Sequence, residues 1–249
     1  MVERLNSSER EAVLEALGID QWRLRSVAPI TNAPTTDGPD DADESDRATT
    51  DTQPAEVLIE SDAPVIDWSL LRHNVKRCTK CRLHETRTQA VFGVGAESAQ
   101  MMVVGEAPGA EEDRRGEPFV GRAGQMLDAM LKAIGIERST VFIANVIKCR
   151  PPQNRDPRAD EVEACTDYLE AQIRHVNPDV ILAVGRVAAQ HLLGSTETLG
   201  RLRVQRDLHA YGVPVLVTYH PAYLLRTPVQ KARAWEDLKR LRQMIGAVQ

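Results

Sequence analysis

The stretch Met101-Met102-Val103-Val104-Gly105-Glu106-Ala107-Pro108-Gly109 decides the fold, because an apolar run of strand length stops abruptly at a turn bounded by glycines and carrying a carboxylate. Three further runs follow the same plan. Asn145 lies within Val141–Cys149, Gly185 closes Val180–Val184, and His220-Pro221 follows Val213–Tyr219. Each run reads as a buried strand, and in an open parallel sheet such strand ends face one crevice where ligands bind. Between the runs, Ala123–Ile134 sets Met126, Leu127, Met130, Leu131 and Ile134 on one helical face, and Val162, Cys165, Leu169 and Ile173 repeat the pattern. Val187–Leu193 begins a third helix and Ala232–Ile245 closes the chain. The alternation predicts an α/β fold over residues 68–249: a three-layer α/β/α sandwich around a mostly parallel, four-stranded central sheet.

The 249 residues, 42% of them hydrophobic, suffice for one ordinary core. No apolar run approaches the ~20 residues needed to cross a bilayer, and Met1–Asn6 lacks the basic start of a signal peptide. A cytoplasmic protein without membrane contact is expected. The formal charge of −5 conceals a segregation: residues 27–67 hold eleven acidic residues against Arg47 alone, whereas residues 68–249 hold 26 Lys and Arg against 20 Asp and Glu. A mildly basic fold behind an acidic leader suits a polyanionic partner, and equally a solvated surface. Residues 1–26 predict a short helix, with Ser8 and Glu11 as a capping box and Val13, Leu14 and Leu17 as its apolar stripe. That helix reads either as a docking peptide for a protein partner or as a weakly ordered extension. Residues 27–67, rich in Thr, Pro, Asp and Ala, predict an acidic disordered linker.

The chain has four cysteines, Cys78, Cys81, Cys149 and Cys165. One Cys-x-x-Cys pair and two separate thiols leave structural zinc, an iron–sulfur cluster and buried free thiols in contention. The long interval from Cys81 to Cys149 and the lack of a second Cys-x-x-Cys lean towards a cluster over zinc.

At the strand ends, the glycines around Glu106 let a ligand approach the backbone, and Glu106, Glu111, Glu112 and Asp113 form a carboxylate group that either serves chemistry or decorates the following helix. Phe119, one of three phenylalanines, stands in a loop where it can stack on a flat ring or plug the core. Asn145 interrupts an apolar strand, so its amide must find partners or cost ~1–3 kcal/mol. His220 faces the crevice ahead of Leu224, Leu225 and Arg226, an order that suits a wedge into a base stack followed by a phosphate contact.

Taken in this order, Cys78-x-x-Cys81, Gly105-Glu106-Ala107-Pro108-Gly109, Pro118-Phe119-Val120-Gly121, Asn145 with Lys148-Cys149-Arg150-Pro151-Pro152, Asn154-Arg155, Cys165 and His220-Pro221-Ala222-Tyr223-Leu224-Leu225-Arg226 resemble the family 4 uracil-DNA glycosylases, the iron–sulfur branch of that superfamily. The likeness spans about Arg72 to Arg242. It implies a uracil-DNA glycosylase-like fold and a 4Fe-4S cluster on Cys78, Cys81, Cys149 and Cys165. It further implies uracil stacked on Phe119, with Asn145 reading O4 and N3–H and backbone groups near Glu106 and Ala107 completing the pocket. His220 would be the donor to uracil O2. Glu106, helped by Glu112 and Asn154, would place the water or stabilise the sugar cation. Arg155, Leu224, Leu225 and Arg226 would meet DNA. Family 1 relatives carry aspartate where this chain has Glu106, and covalent uracil binders carry a basic loop with an added histidine where this chain has Asn154-Arg155-Asp156-Pro157. The implied protein is a monomeric, nucleoid-associated, monofunctional enzyme of base excision repair, acting on uracil in single- and double-stranded DNA. Two alternatives stand beside it: a uracil-DNA binding protein without turnover, and an electron-transfer protein.

Overall fold

The computed structural model describes residues 67–248. The helix expected within 1–26 and all but the last residue of the linker expected at 27–67 lie outside the described residues.

Strands β1 (Val94–Gly95), β2 (Met101–Gly105), β3 (Phe142–Asn145), β4 (Val180–Val184), β5 (His209–Ala210) and β6 (Val213–Thr218) form a sheet ordered β1-β3-β2-β4-β6-β5. The inner four run parallel, with Val103 opposite both Ile143 and Leu182, and Leu182 opposite Leu216. The two outer strands pair antiparallel. The expected four-stranded sheet is therefore corrected to six strands. The additional pair are two residues long, too short for any alternation of apolar and polar residues to register in sequence.

Strand pleating divides the apolar side chains between two cores. Met102, Val104, Phe142, Ala144, Ile181, Ala183, Val215 and Val217 face helices α1 (Trp68–Arg77), α4 (Ala159–Val176), α5 (Arg186–Leu192) and α6 (Leu199–Val204). Met101, Val103, Ile143, Leu182, Val184 and Leu216 face α3 (Arg122–Ala133), α7 (Pro221–Arg226) and α8 (Lys231–Val248). The remaining helix, α2 (Ala110–Arg115), follows β2 directly and closes on Gly116. With both sheet faces covered, the strands bury on both sides, which is why they read as uninterrupted apolar runs. Their C-terminal ends are left to carry the chemistry.

Candidate active site

At those ends lies a cleft of about 420 Å³, a size suited to a small ligand, lined among others by Glu106, Ala107, Phe119, Asn145, Asn154 and His220. The sheet register explains part of the convergence: Gly105 of β2 pairs with Asn145 of β3, so the turn that begins at Glu106 starts beside the Asn145 side chain.

Phe119 is buried, in a left-handed backbone conformation (φ 52°) that a bulky residue adopts only when its surroundings impose it. Three contacts impose it here. The Glu112 carboxylate accepts the backbone N–H groups of Val120 and Gly121 at 3.0 and 2.9 Å. Gly124 lies so close beneath the Phe119 carbonyl that any side chain would overlap it. A Cβ on Gly105 would stand 2.6 Å from Phe119 Cζ and closer still to Asn145 Oδ1, so only glycine lets the ring and the amide share this corner. The Phe119 ring is 5.8 Å from the His220 ring, centroid to centroid.

Asn145 is 2% exposed, and its Oδ1 has no hydrogen-bond partner within the protein. A buried amide oxygen left open in this way costs ~1–3 kcal/mol until a donor arrives. His220 caps the N-terminus of α7, its Nδ1 accepting the Ala222 N–H at 3.2 Å. That bond assigns the ring proton to Nε2, as a donor. Burial, with Arg226 adding and Glu112 opposing, pulls the His220 pKa down to about 4, so the ring is neutral at ordinary pH. Glu106 moves the other way. Burial pushes its carboxyl up to about 7, with Asp156 adding and Arg186 opposing.

The remaining expected site residues divide. Glu112 and Asn154 both line the cleft, but Glu112 Oε1 is engaged by the Phe119 loop and Asn154 Oδ1 accepts from Arg150 Nε at 2.8 Å. Arg155 also reaches the cleft, yet its guanidinium grips the buried Glu161 carboxylate through two bonds of 2.8 and 2.5 Å, since a carboxylate in that place needs a cation. Leu224 is fully buried in the second core, and Leu225, one position round α7, is half-buried beside the exposed Arg226. Of the two leucines, only Leu225 has a free side. Sequence reading did not single out Arg186, which opens α5 and pairs with Asp156 at 2.5 Å, because nothing local ties it to Glu106.

Residues 92–239 match the uracil DNA glycosylase superfamily. The type-4 uracil-DNA glycosylase of Archaeoglobus fulgidus is 43% identical over 182 residues, covering 70% of this chain and 92% of its own. Type-4 enzymes of Pyrobaculum aerophilum (43%; 70% of this chain, 92% of the relative) and Thermotoga maritima (42%; 71% and 93%) are similar to the same degree. This chain belongs to the type-4 uracil-DNA glycosylase family. A type-5 uracil-DNA glycosylase of Pyrobaculum aerophilum stands further off, 32% identical over 51% of this chain and 63% of the relative.

In this type-4 chain the expected iron–sulfur centre is corrected. Among the described residues no group of three or more His, Cys, Asp or Glu side chains is placed to hold a metal ion, and Cys78, Cys81, Cys149 and Cys165 are free. In the metal-free protein, burial pushes the Cys149 thiol up to about 11 and raises Cys165 and Cys81 as well. Arg87 donates to Cys149 Sγ at 2.9 Å and the Lys80 N–H to Cys78 Sγ at 3.4 Å. In this structure Cys149 and Cys165 are buried, and Cys78 and Cys81 are partly exposed.

Proposed function

We propose that this protein is a monofunctional DNA glycosylase that draws uracil out of single- or double-stranded DNA and hydrolyses its N-glycosidic bond, leaving an abasic site for base excision repair. The observation that carries the reading is the meeting of Phe119, Asn145, His220 and Glu106 around one cleft, with a buried amide oxygen unpartnered.

Phe119 supplies the flat apolar face on which the base stacks. The Asn145 amide donates to uracil O4 and accepts N3–H; cytosine presents a donor and an acceptor in the reverse order, so both contacts fail at once. As the glycosidic bond breaks, negative charge gathers on uracil O2 and positive charge on the sugar. The Nε2–H of neutral His220 stabilises the first, and ionised Glu106 orients water or stabilises the second. Asn154 is a candidate helper through its side-chain N–H₂, its oxygen being held by Arg150. No lysine lines the cleft among the described residues, which favours attack by water over Schiff-base chemistry. In a duplex, extrusion costs a few kcal/mol, offset by the pocket and by Leu225 filling the gap while Arg226 meets a phosphate.

The test is incubation of the purified protein with a uracil-bearing single strand and with U·G, U·A and T·G duplexes. Free uracil should appear fastest from the single strand, the T·G duplex should stay intact, and the abasic strand should break only under alkali. Retention of uracil-DNA without release, or strand breakage before alkali, would overturn the reading.

A further inference from the structure

We infer that Lys148 is a positioning residue that holds the strand end carrying Asn145 in its base-reading orientation, an assignment that rests on the function proposed above. Lys148 lies three residues beyond Asn145 and folds back into the protein, where it is 1% exposed. Its Nζ donates to the Asn145 carbonyl at 2.7 Å and to Gln172 Oε1 at 2.6 Å. Gln172, fully buried on α4, in turn donates from Nε2 to the Phe92 carbonyl at 2.8 Å. Both acceptors of the ammonium are neutral. A buried cation served only by neutral groups contributes little to stability, and an apolar chain of the same length would fill the space as well. What an apolar chain would not supply is the donor.

That donor completes a clamp. The peptide linking Asn145 to Val146 is held through its N–H by the Gly105 carbonyl at 2.9 Å, and through its C=O by Lys148. Fixing both polar ends of one peptide plane fixes ψ of Asn145, and with it the direction in which the side chain leaves the backbone. The Asn145 amide has no side-chain partner at Oδ1 to orient it from its far end, so the orientation must come from the backbone. Lys148's own main chain is anchored separately, its carbonyl accepting the Val91 N–H at 2.8 Å, so loss of the ammonium leaves the segment in place. A recognition group needs placement within about 0.5 Å, and a clamp of this kind supplies it.

The experiment is a double-mutant cycle in the full-length protein, with Lys148→Met placed in the wild-type and Asn145→Ala backgrounds. Single-turnover uracil release, retention of uracil- over cytosine-bearing single strands on filters, and the thermal unfolding midpoint are measured for each. Lys148→Met should slow release about 100-fold, as a misplacement of about 1 Å does, and should erode the preference for uracil. Its unfolding midpoint should change little, because removing a buried ammonium offsets the two acceptors it leaves open, and in the Asn145→Ala background the substitution should slow release no further. Gln172→Leu, which frees the ammonium to swing away, should give a smaller loss with the same non-additivity, and it decides the matter should Lys148→Met not fold. Wild-type release rates, or an equal loss in both backgrounds, would overturn the assignment. A wild-type protein that retains uracil-DNA selectively without releasing uracil would end the proposed catalysis, while the filter preference of the variants still tests the clamp.

Discussion

Two buried polar clusters, each set at the end of a parallel strand, have opposite characters. At the end of β6, Thr218, Arg203 and Asp237 satisfy one another: the guanidinium meets both carboxylate oxygens at 2.8 Å, and the Thr218 hydroxyl donates to the same carboxylate at 2.7 Å. At the end of β3 and β2, Asn145 keeps an open oxygen, Phe119 sits in a strained backbone, and Glu106 is held with its carboxyl raised to about 7. Burial is common to both. A closed network lowers the energy of the protein itself, whereas an open one is paid for by the fold and recovers that energy when a ligand arrives. The open cluster is accordingly the candidate site.

The sharpest way to break the comparison is to open the closed network. Asp237→Ala leaves Arg203 buried without its counter-ion and should cost about 4 kcal/mol of unfolding free energy in urea titrations. A loss below about 1 kcal/mol would mean that water already serves the pair.

Next in size is the reverse operation on the open cluster. Asn145→Ala removes an unpartnered amide, so the unfolding midpoint should hold or rise while uracil release falls about 10⁴-fold, the scale at which a site built around a hydrogen bond loses its discrimination. Parallel loss of stability and rate would show that the amide is merely structural.

The smallest effect concerns pH and sharpens the electrostatic side. Glu106 is a carboxylic acid whose pKa is raised, so it is protonated below about 7 and ionised above; kcat/KM should climb through that region and then level, while His220, lowered to about 4, stays neutral throughout. Asp156 is one cause of the rise, so Asp156→Asn should move the limb to lower pH. A limb that stays put or moves upward would detach Glu106 from the rate.

Much of this was legible in the chain. The four central strands, their order of appearance, and the helices carrying Leu127 and Leu131 or Leu169 and Ile173 follow from apolar runs and helical spacing, which are local properties. Phe119, Asn145 and His220 stood out because each is an odd residue for its place. The two-residue edge strands left no trace, being shorter than the period that would reveal them. The tie between Arg155 and Glu161 was hidden for a different reason. A surface cation bound for DNA and a cation tied to Glu161 look alike until the carboxylate six residues on is seen to be buried. Leu224 and Leu225 are likewise neighbours in sequence that a helix turns to opposite fates.

The sequence by itself determined the layers of the fold and the segments that meet at its C-terminal edge, because burial on both faces of a parallel sheet forces long apolar runs that stop where chemistry begins. Only the tertiary structure decided which groups are left open, which are tied to one another, and that Cys149 and Cys165 are buried while Cys78 and Cys81 are partly exposed. Hydrogen-bond satisfaction, desolvation and the field of distant charges depend on distances between residues far apart in the chain, and no local pattern encodes them.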